Sequence, residues 1–203
     1  MSKFYRSLIT AQVEQYAEPW AVKYVTPAFA GDAEAAFSLC VALSNSKRGE
    51  VAVAMWRAKV PREAFRSYFA SAWDHDHRHV INAAGTRHRL AYLFRYAAFP
   101  VPAGLPDVVR VWRGTSKLTQ ADACSGYSWT TCRDVACWFA MRFAAGNGVP
   151  LVLAADVPKS DIALHHDERN EHEVVLLRPP RAWVDGQEAD WLAGHARRQV
   201  AQS

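Results

Sequence analysis

Two carboxylates stand one residue apart, Glu171 and Glu173, at the mouth of the apolar run Val174 to Leu177, which ends in Pro179-Pro180. The run has the length and β-branched content of a buried strand. Side chains at i and i+2 of a strand project from the same face, so the two glutamates leave one strand end together. A fixed carboxylate can stabilise a cation as it develops. A second one beside it can orient a nucleophile or take its proton. The same pair also suits the solvated start of an ordinary strand, so the residues upstream must decide.

Several stretches between positions 107 and 180 bear on this. Val108-Val109-Arg110-Val111-Trp112-Arg113-Gly114 alternates and is β-branched, so Arg113 ends a strand with Gly114 behind it. Gly126-Tyr127-Ser128-Trp129-Thr130-Thr131 is a second short strand, presenting Ser128 and Thr130 on one face. Arg133 to Phe143 reads as an amphipathic helix, with Asp134 in its first turn where the helix dipole favours an anion. Gly146 to Pro150 turns the chain into a buried strand, Leu151 to Val157, and Ile162 to Leu164 offers another.

In this order the stretches resemble the ADP-ribosyltransferases of the Arg–Ser–Glu class, which include arginine-modifying bacterial toxins and vertebrate ecto-enzymes. The resemblance rests on Val111-Trp-Arg-Gly-Thr115, on Gly126-Tyr-Ser-Trp-Thr-Thr131 with the helix Asp134 to Ala140, and on Glu171-His-Glu-Val-Val-Leu-Leu-Arg-Pro-Pro180. Where many members have Ser-Thr-Ser, this chain has Ser128-Trp129-Thr130. The first hydroxyl is kept and the middle residue is bulky.

The resemblance implies NAD as co-substrate, with no metal. Arg113 would bind its diphosphate or an adjoining ribose, as a guanidinium binds phosphate through paired, charge-assisted bonds. Gly114, Tyr127, Ser128 and Thr130 would complete the NAD site, Ser128 bracing Glu173 and the nicotinamide-side ribose. Glu173 would stabilise the ribosyl cation and Glu171 would serve the acceptor. The loop His165 to Asn170, with His166 and Arg169, would read the target. Glu-x-Glu goes with arginine acceptors in the family, so protein is favoured over nucleic acid. A neutralising partner and a monomeric state are also expected, in a toxin-like, phage or bacterial effector. The rivals are an NAD glycohydrolase, a nucleic-acid modifier, encouraged by Arg87, Arg89 and Arg95, and an inactive binding module. Trp112, Trp129 and Trp138 are candidates for ring stacking on nicotinamide or adenine, or for core packing.

The elements that must position these groups are legible in outline. Half of the 203 residues are hydrophobic and an eighth are aromatic, so the chain is globular. The net charge of +4 permits an anionic partner without requiring one. Four cysteines, Cys40, Cys124, Cys132 and Cys137, form no Cys-x-x-Cys pair. No signal peptide or membrane-spanning run is read, which gives a cytoplasmic expectation, with delivery that needs no cleaved signal left open.

Residues 1 to 100 read as a helical lobe. Asp32 is an N-cap, Asn45 to Gly49 a break, Val51 to Val60 either helix or strand, Pro61 a helix start, and Thr86 to Ala98 a further helix. Asp74-His75-Asp76-His77-Arg78-His79 reads as a polar helix end or loop, with a metal site as its rival. Three prolines and a glycine in 100–106 set the lobe boundary, and 101–203 form the catalytic lobe. Gln187 to Val200 forms a last helix. The expected class is α+β, a helical N-terminal lobe followed by a mixed, mainly antiparallel β-sandwich of the ADP-ribosyltransferase type.

Overall fold

The computed structural model describes residues 3–142, 144, 148–167 and 170–201. Phe143, in the predicted helix, and Arg169, a predicted target-reading residue, lie outside the described residues. The chain is α+β and divides into two units, Met1–Phe99 and Pro100–Ser203.

The first unit is helical: α1 (Lys3–Glu14), α2 (Val25–Ala30), α3 (Ala33–Ala42), α4 (Asn45–Arg57), α5 (Arg62–Ala84) and α6 (Arg87–Ala97). Asp32 caps α3 by accepting from Ala35 N at 2.9 Å, and Thr86 caps α6 by accepting from Arg89 N at 3.1 Å. Each such cap contributes about 1 kcal/mol. The core is aromatic. Phe65 stacks on Phe69 at 5.3 Å, and Phe94 meets Phe69 and Trp73 edge-on at 5.0 and 4.9 Å.

Two sequence expectations are corrected here. Asn45 to Gly49 is not a break but the first turns of α4, and Val51 to Arg57 continues it as helix. Gly49 is there for closeness rather than for a turn: a Cβ at this position would lie 2.3 Å from the His79 carbonyl oxygen on α5. The Asp/His stretch is neither loop nor helix end. It lies inside α5, at a kink where Asp76 leaves helical geometry (φ −143°, ψ 35°). Asp76 is buried and ion-pairs with Arg48 at 2.5 Å, and His77 packs on the Trp73 ring. That pairing holds α5 on α4, and breaking such a buried pair costs about 3–5 kcal/mol.

The second unit carries β1 (Val108–Thr115), α7 (Gln120–Cys124), β2 (Ser128–Thr130), α8 (Arg133–Met141), β3 (Leu151–Pro158), β4 (Ile162–His166), β5 (Glu173–Leu176), β6 (Ala182–Val184) and α9 (Glu188–Val200). Its strands hydrogen-bond in the order β4-β5-β2-β1-β3-β6, every neighbouring pair antiparallel. The predicted sandwich is therefore one continuous six-stranded sheet by its hydrogen bonds. The eight-residue pairing of β1 with β3 joins the four strands β4-β5-β2-β1 to the pair β3-β6.

Alternation along the strands gives each face its own core. Val109, Val111, Trp129, Leu153, Ala155, Val174 and Leu176 fill one. Val152 with Ala136, Cys137 and Ala140 of α8 and Trp191 of α9 fills the other. Gly114 permits the second: a Cβ there would lie 1.8 Å from the Ala136 carbonyl oxygen, so α8 lies directly on β1. Arg197 of α9 grips Asp134 of α8 with two bonds, at 2.9 and 2.6 Å. Asp185 accepts from Trp112 Nε1 at 3.0 Å and from Arg133 Nε at 2.6 Å, tying the entry of α9 to β1 and α8.

Candidate active site

Strand register builds the site. One row of paired residues crosses the sheet: His166 on β4, Glu173 on β5, Thr130 on β2, Trp112 on β1, Ala154 on β3 and Trp183 on β6. Residues directly opposite in antiparallel strands share a face. Glu173 therefore has His166 on one side and Thr130 on the other. Ser128, two residues before Thr130 and opposite Val175, shares that face. The Glu173 carboxylate is buried, at 8% exposure.

Arg113 comes to this group from the other side. It follows Trp112, so its Cβ leaves the sheet on the opposite face, that of Val111 and Trp129. Its guanidinium runs back under the start of β2, where Nη1 donates to the Ser128 carbonyl oxygen. Gly126 makes the space: a Cβ there would lie 2.3 Å from Arg113 Cζ. Burial lowers the Arg113 pKa, and the Glu173 charge opposes that shift. An arginine so placed stays cationic at neutral pH. Its Nε is buried and has no hydrogen-bond partner among the described residues. A buried unsatisfied donor costs about 1–3 kcal/mol, which an incoming oxygen acceptor would recover.

Glu171 sits in a loop with strained backbone on both sides. Asn170 (φ 53°) and His172 (φ 47°) both lie in the left-handed region. Such conformations persist only where surrounding contacts over-determine them, and the contacts are present. Asp167 holds the loop from below, its carbonyl accepting from Asn170 N at 3.0 Å and its Oδ1 from His172 N at 3.1 Å. The His172 ring nitrogen Nδ1 is 2.9 Å from the same carboxylate. Arg198 of α9 donates to the Asn170 carbonyl at 2.7 Å, and Thr131 N donates to the His172 carbonyl at 3.0 Å. Thr130 Oγ1 donates to the Glu171 carbonyl at 2.7 Å and accepts from Cys132 N at 3.0 Å.

The sequence-predicted residues thus fall into groups. Ser128, Thr130, Glu173 and His166 share one face, with Glu171 one step before that strand. Arg113 joins them through its guanidinium alone. Thr130 is committed to the Glu171 backbone, which makes it a brace of the Glu-x-Glu turn. Gly114 serves the packing of α8. Tyr127 sets strand pairing, its carbonyl accepting from Leu176 N at 2.9 Å. Of the three tryptophans, Trp129 is buried core with its Nε1 donating to Gly126 O at 3.1 Å, and Trp112 is tied to Asp185.

Sequence reading missed Gly126, whose only signal was its place before Tyr127-Ser128. It also missed Arg142, just beyond α8. The Arg142 guanidinium lies over the Trp138 and Phe139 rings at 4.3 and 4.5 Å. Burial lowers its pKa and the Glu171 charge opposes this. Helical spacing after Trp138 was the available clue.

Among the described residues no cluster of three His, Cys, Asp or Glu side chains is arranged to hold a metal ion, and no helix is long and apolar enough to cross a membrane. No protein-family model, curated protein or solved structure matches the chain.

Proposed function

We propose that the second unit transfers ADP-ribose from NAD to a macromolecular acceptor, releasing nicotinamide, on an ADP-ribosyltransferase-type fold. The observation that carries the reading is strand adjacency. Arg113, Ser128 and Glu173 are spread over sixty positions, yet β1, β2 and β5 are consecutive neighbours in the sheet, and the Glu173 charge bears on the Arg113 guanidinium. Chain order alone does not demand this.

The residues fit NAD as substrate. The Nε of Arg113, without a partner among the described residues and in the space left by Gly126, suits an oxygen of the diphosphate or of a ribose. Ser128, on the Glu173 face, suits a hydroxyl of the nicotinamide-side ribose. The bond from C1′ to the pyridinium nitrogen breaks, and its electron pair leaves with nicotinamide, which departs neutral. Positive charge develops at C1′, as in glycoside hydrolysis. The buried Glu173 carboxylate stabilises it, in a site where water screens little. The acceptor nucleophile then bonds to C1′ and its proton passes to Glu171.

A guanidinium acceptor is favoured, because the Trp138 and Phe139 rings already take the guanidinium of Arg142 and the Glu171 charge bears on it. The test is incubation of the protein with NAD labelled in the adenylate half, with and without cell extract. Label fixed to protein and released by arginine-directed hydroxylamine supports the reading. Free ADP-ribose alone makes the enzyme a glycohydrolase. Intact NAD in both arms contradicts the proposal.

A further inference from the structure

A second candidate site lies within the helical unit, on residues that take no part in the NAD site. An open groove of about 410 Å³ is lined by Trp56, Lys59, Arg62, Tyr92, Arg95 and Tyr96. That volume lies within the range of about 300–1,000 Å³ usual for small-ligand sites. Three aromatic rings and three cations line it, with no carboxylate among the lining residues.

The rings are set rather than loose. Trp56 and Tyr92 lie near parallel, with centroids 6.5 Å apart and planes 23° from one another. Tyr96 is fixed at both ends: its hydroxyl donates to Val60 O at 2.7 Å, and its carbonyl accepts from Arg62 Nε at 3.2 Å. The cations stand at the rings. Lys59 Nζ is 5.1 Å from the Trp56 centroid and 5.4 Å from that of Tyr96, while Arg95 Cζ is 5.0 Å from that of Tyr92. Lys59 itself has φ 52°, a left-handed conformation that carries its side chain back over the end of α4.

Charge is distributed to match. Residues 1–99 carry 13 Lys and Arg against 8 Asp and Glu, a net of +5, while residues 100–203 carry 11 against 12, a net of −1. All of the chain's positive excess therefore belongs to the helical unit. Within residues 51–99 only three acids oppose eight bases, and two of them, Asp74 and Asp76, are buried. Exposed Glu63 remains, in the first turn of α5 beside Arg62. Planar aromatic faces interleaved with phosphate-binding cations form the surface that single strands use, the bases stacking and the backbone following the charge.

We infer that this groove binds single-stranded nucleic acid, with Trp56 and Tyr92 as stacking faces and Lys59, Arg62 and Arg95 as phosphate contacts. A duplex hides its base faces, and an acidic peptide has none, so both should bind less well. The inference does not rest on the NAD chemistry of the second unit.

The test is fluorescence anisotropy of the full chain with labelled oligo(dT) and oligo(U) of about 16 nucleotides, enough for one site. Micromolar binding is expected, with log Kd changing by about 2 per decade of salt if three phosphates are contacted. Tyr92→Ala, at an exposed position, should weaken binding by about fivefold or more. Arg95→Gln should lower the salt slope by about 0.7. Comparison of the two oligomers distinguishes DNA from RNA as the source. Glu173→Gln should bind as the native chain does, so failure of the transferase reading leaves this one standing, and the reverse. Absence of oligomer binding at low salt would overturn the inference. So would tighter binding of duplex or poly-glutamate, or a folded Tyr92→Ala protein of unchanged affinity.

Discussion

The hydroxyl of Thr130 donates to the carbonyl oxygen of Glu171 at 2.7 Å, across the 41 positions that separate them. This bond joins the end of β2 to the turn that carries the acidic pair. Thr130→Val keeps the shape and removes the donor, leaving the half-buried Glu171 carbonyl and the Cys132 amide without their partner. Stability should fall by about 1–3 kcal/mol in denaturant melts. NAD turnover in the folded fraction should fall as well, because the strain at Asn170 and His172 loses one of its restraints. Native stability in this variant would show that the bond does not hold the turn.

The two glycines at Arg113 and α8 should fail in different ways. The nearest atoms to a Cβ at Gly126 are those at the far end of the Arg113 side chain, which can swing aside. Gly126→Ala should therefore fold with near-native stability and bind NAD about tenfold or more weakly, read by calorimetry. A Cβ at Gly114 meets the Ala136 carbonyl at 1.8 Å and the Ala140 amide nitrogen at 2.9 Å, both helix backbone. Gly114→Ala should lower stability by about 1–3 kcal/mol or more. If Gly126→Ala binds NAD normally, the guanidinium is not the NAD contact.

Much of this arrangement could be read from the chain and some could not. The β1 alternation, the α9 helix, the Asp32 cap and the helix beginning at Thr86 are local signals, carried by side chains within a few residues of the element they define. What escaped depends on partners far away in sequence. Gly49 looks like a helix breaker until the His79 backbone lies against it. The Asp/His stretch looks solvated until Arg48, 28 positions back, reaches Asp76. In the site, Ser128 and Glu173 were legible as a pattern. The row joining His166, Glu173, Thr130 and Trp112 was not, because register is set by which strands pair. Thr130 looked like a ligand-binding hydroxyl for the same reason: its partner is a backbone carbonyl that no spacing rule reveals.

Acid should loosen α9. Arg197 holds the Asp134 carboxyl below the ordinary value, so this pair stabilises the fold above the unfolded pKa and the contribution is lost as pH falls through the lower folded one. Asp134→Asn should lower the melting temperature by about 2–4 °C at pH 7. The difference from the native chain should shrink below about pH 4. A difference constant from pH 7 to 3 would assign the effect to packing.

The four thiols should separate by reactivity. Burial pushes Cys40 and Cys137 up to about 11, while Cys124 and Cys132 are half-buried. The thiolate is the nucleophile, and the two raised thiols hold about a hundredfold less of it at neutral pH than an ordinary cysteine does. Iodoacetamide at neutral pH should label Cys124 and Cys132 first, by peptide mass spectrometry, and all four only after unfolding. Early labelling of Cys137 would contradict the packing of α8 against α9.

The most direct measurement is nicotinamide release from NAD by the native chain and by Glu173→Gln, each shown to be folded by its circular dichroism and melting temperature. The expected result is measurable release by the native protein and a fall of about 10²–10³-fold or more in the variant, the scale of losing one preorganised electrostatic group. A folded Glu173→Gln protein that releases nicotinamide at the native rate would contradict the account.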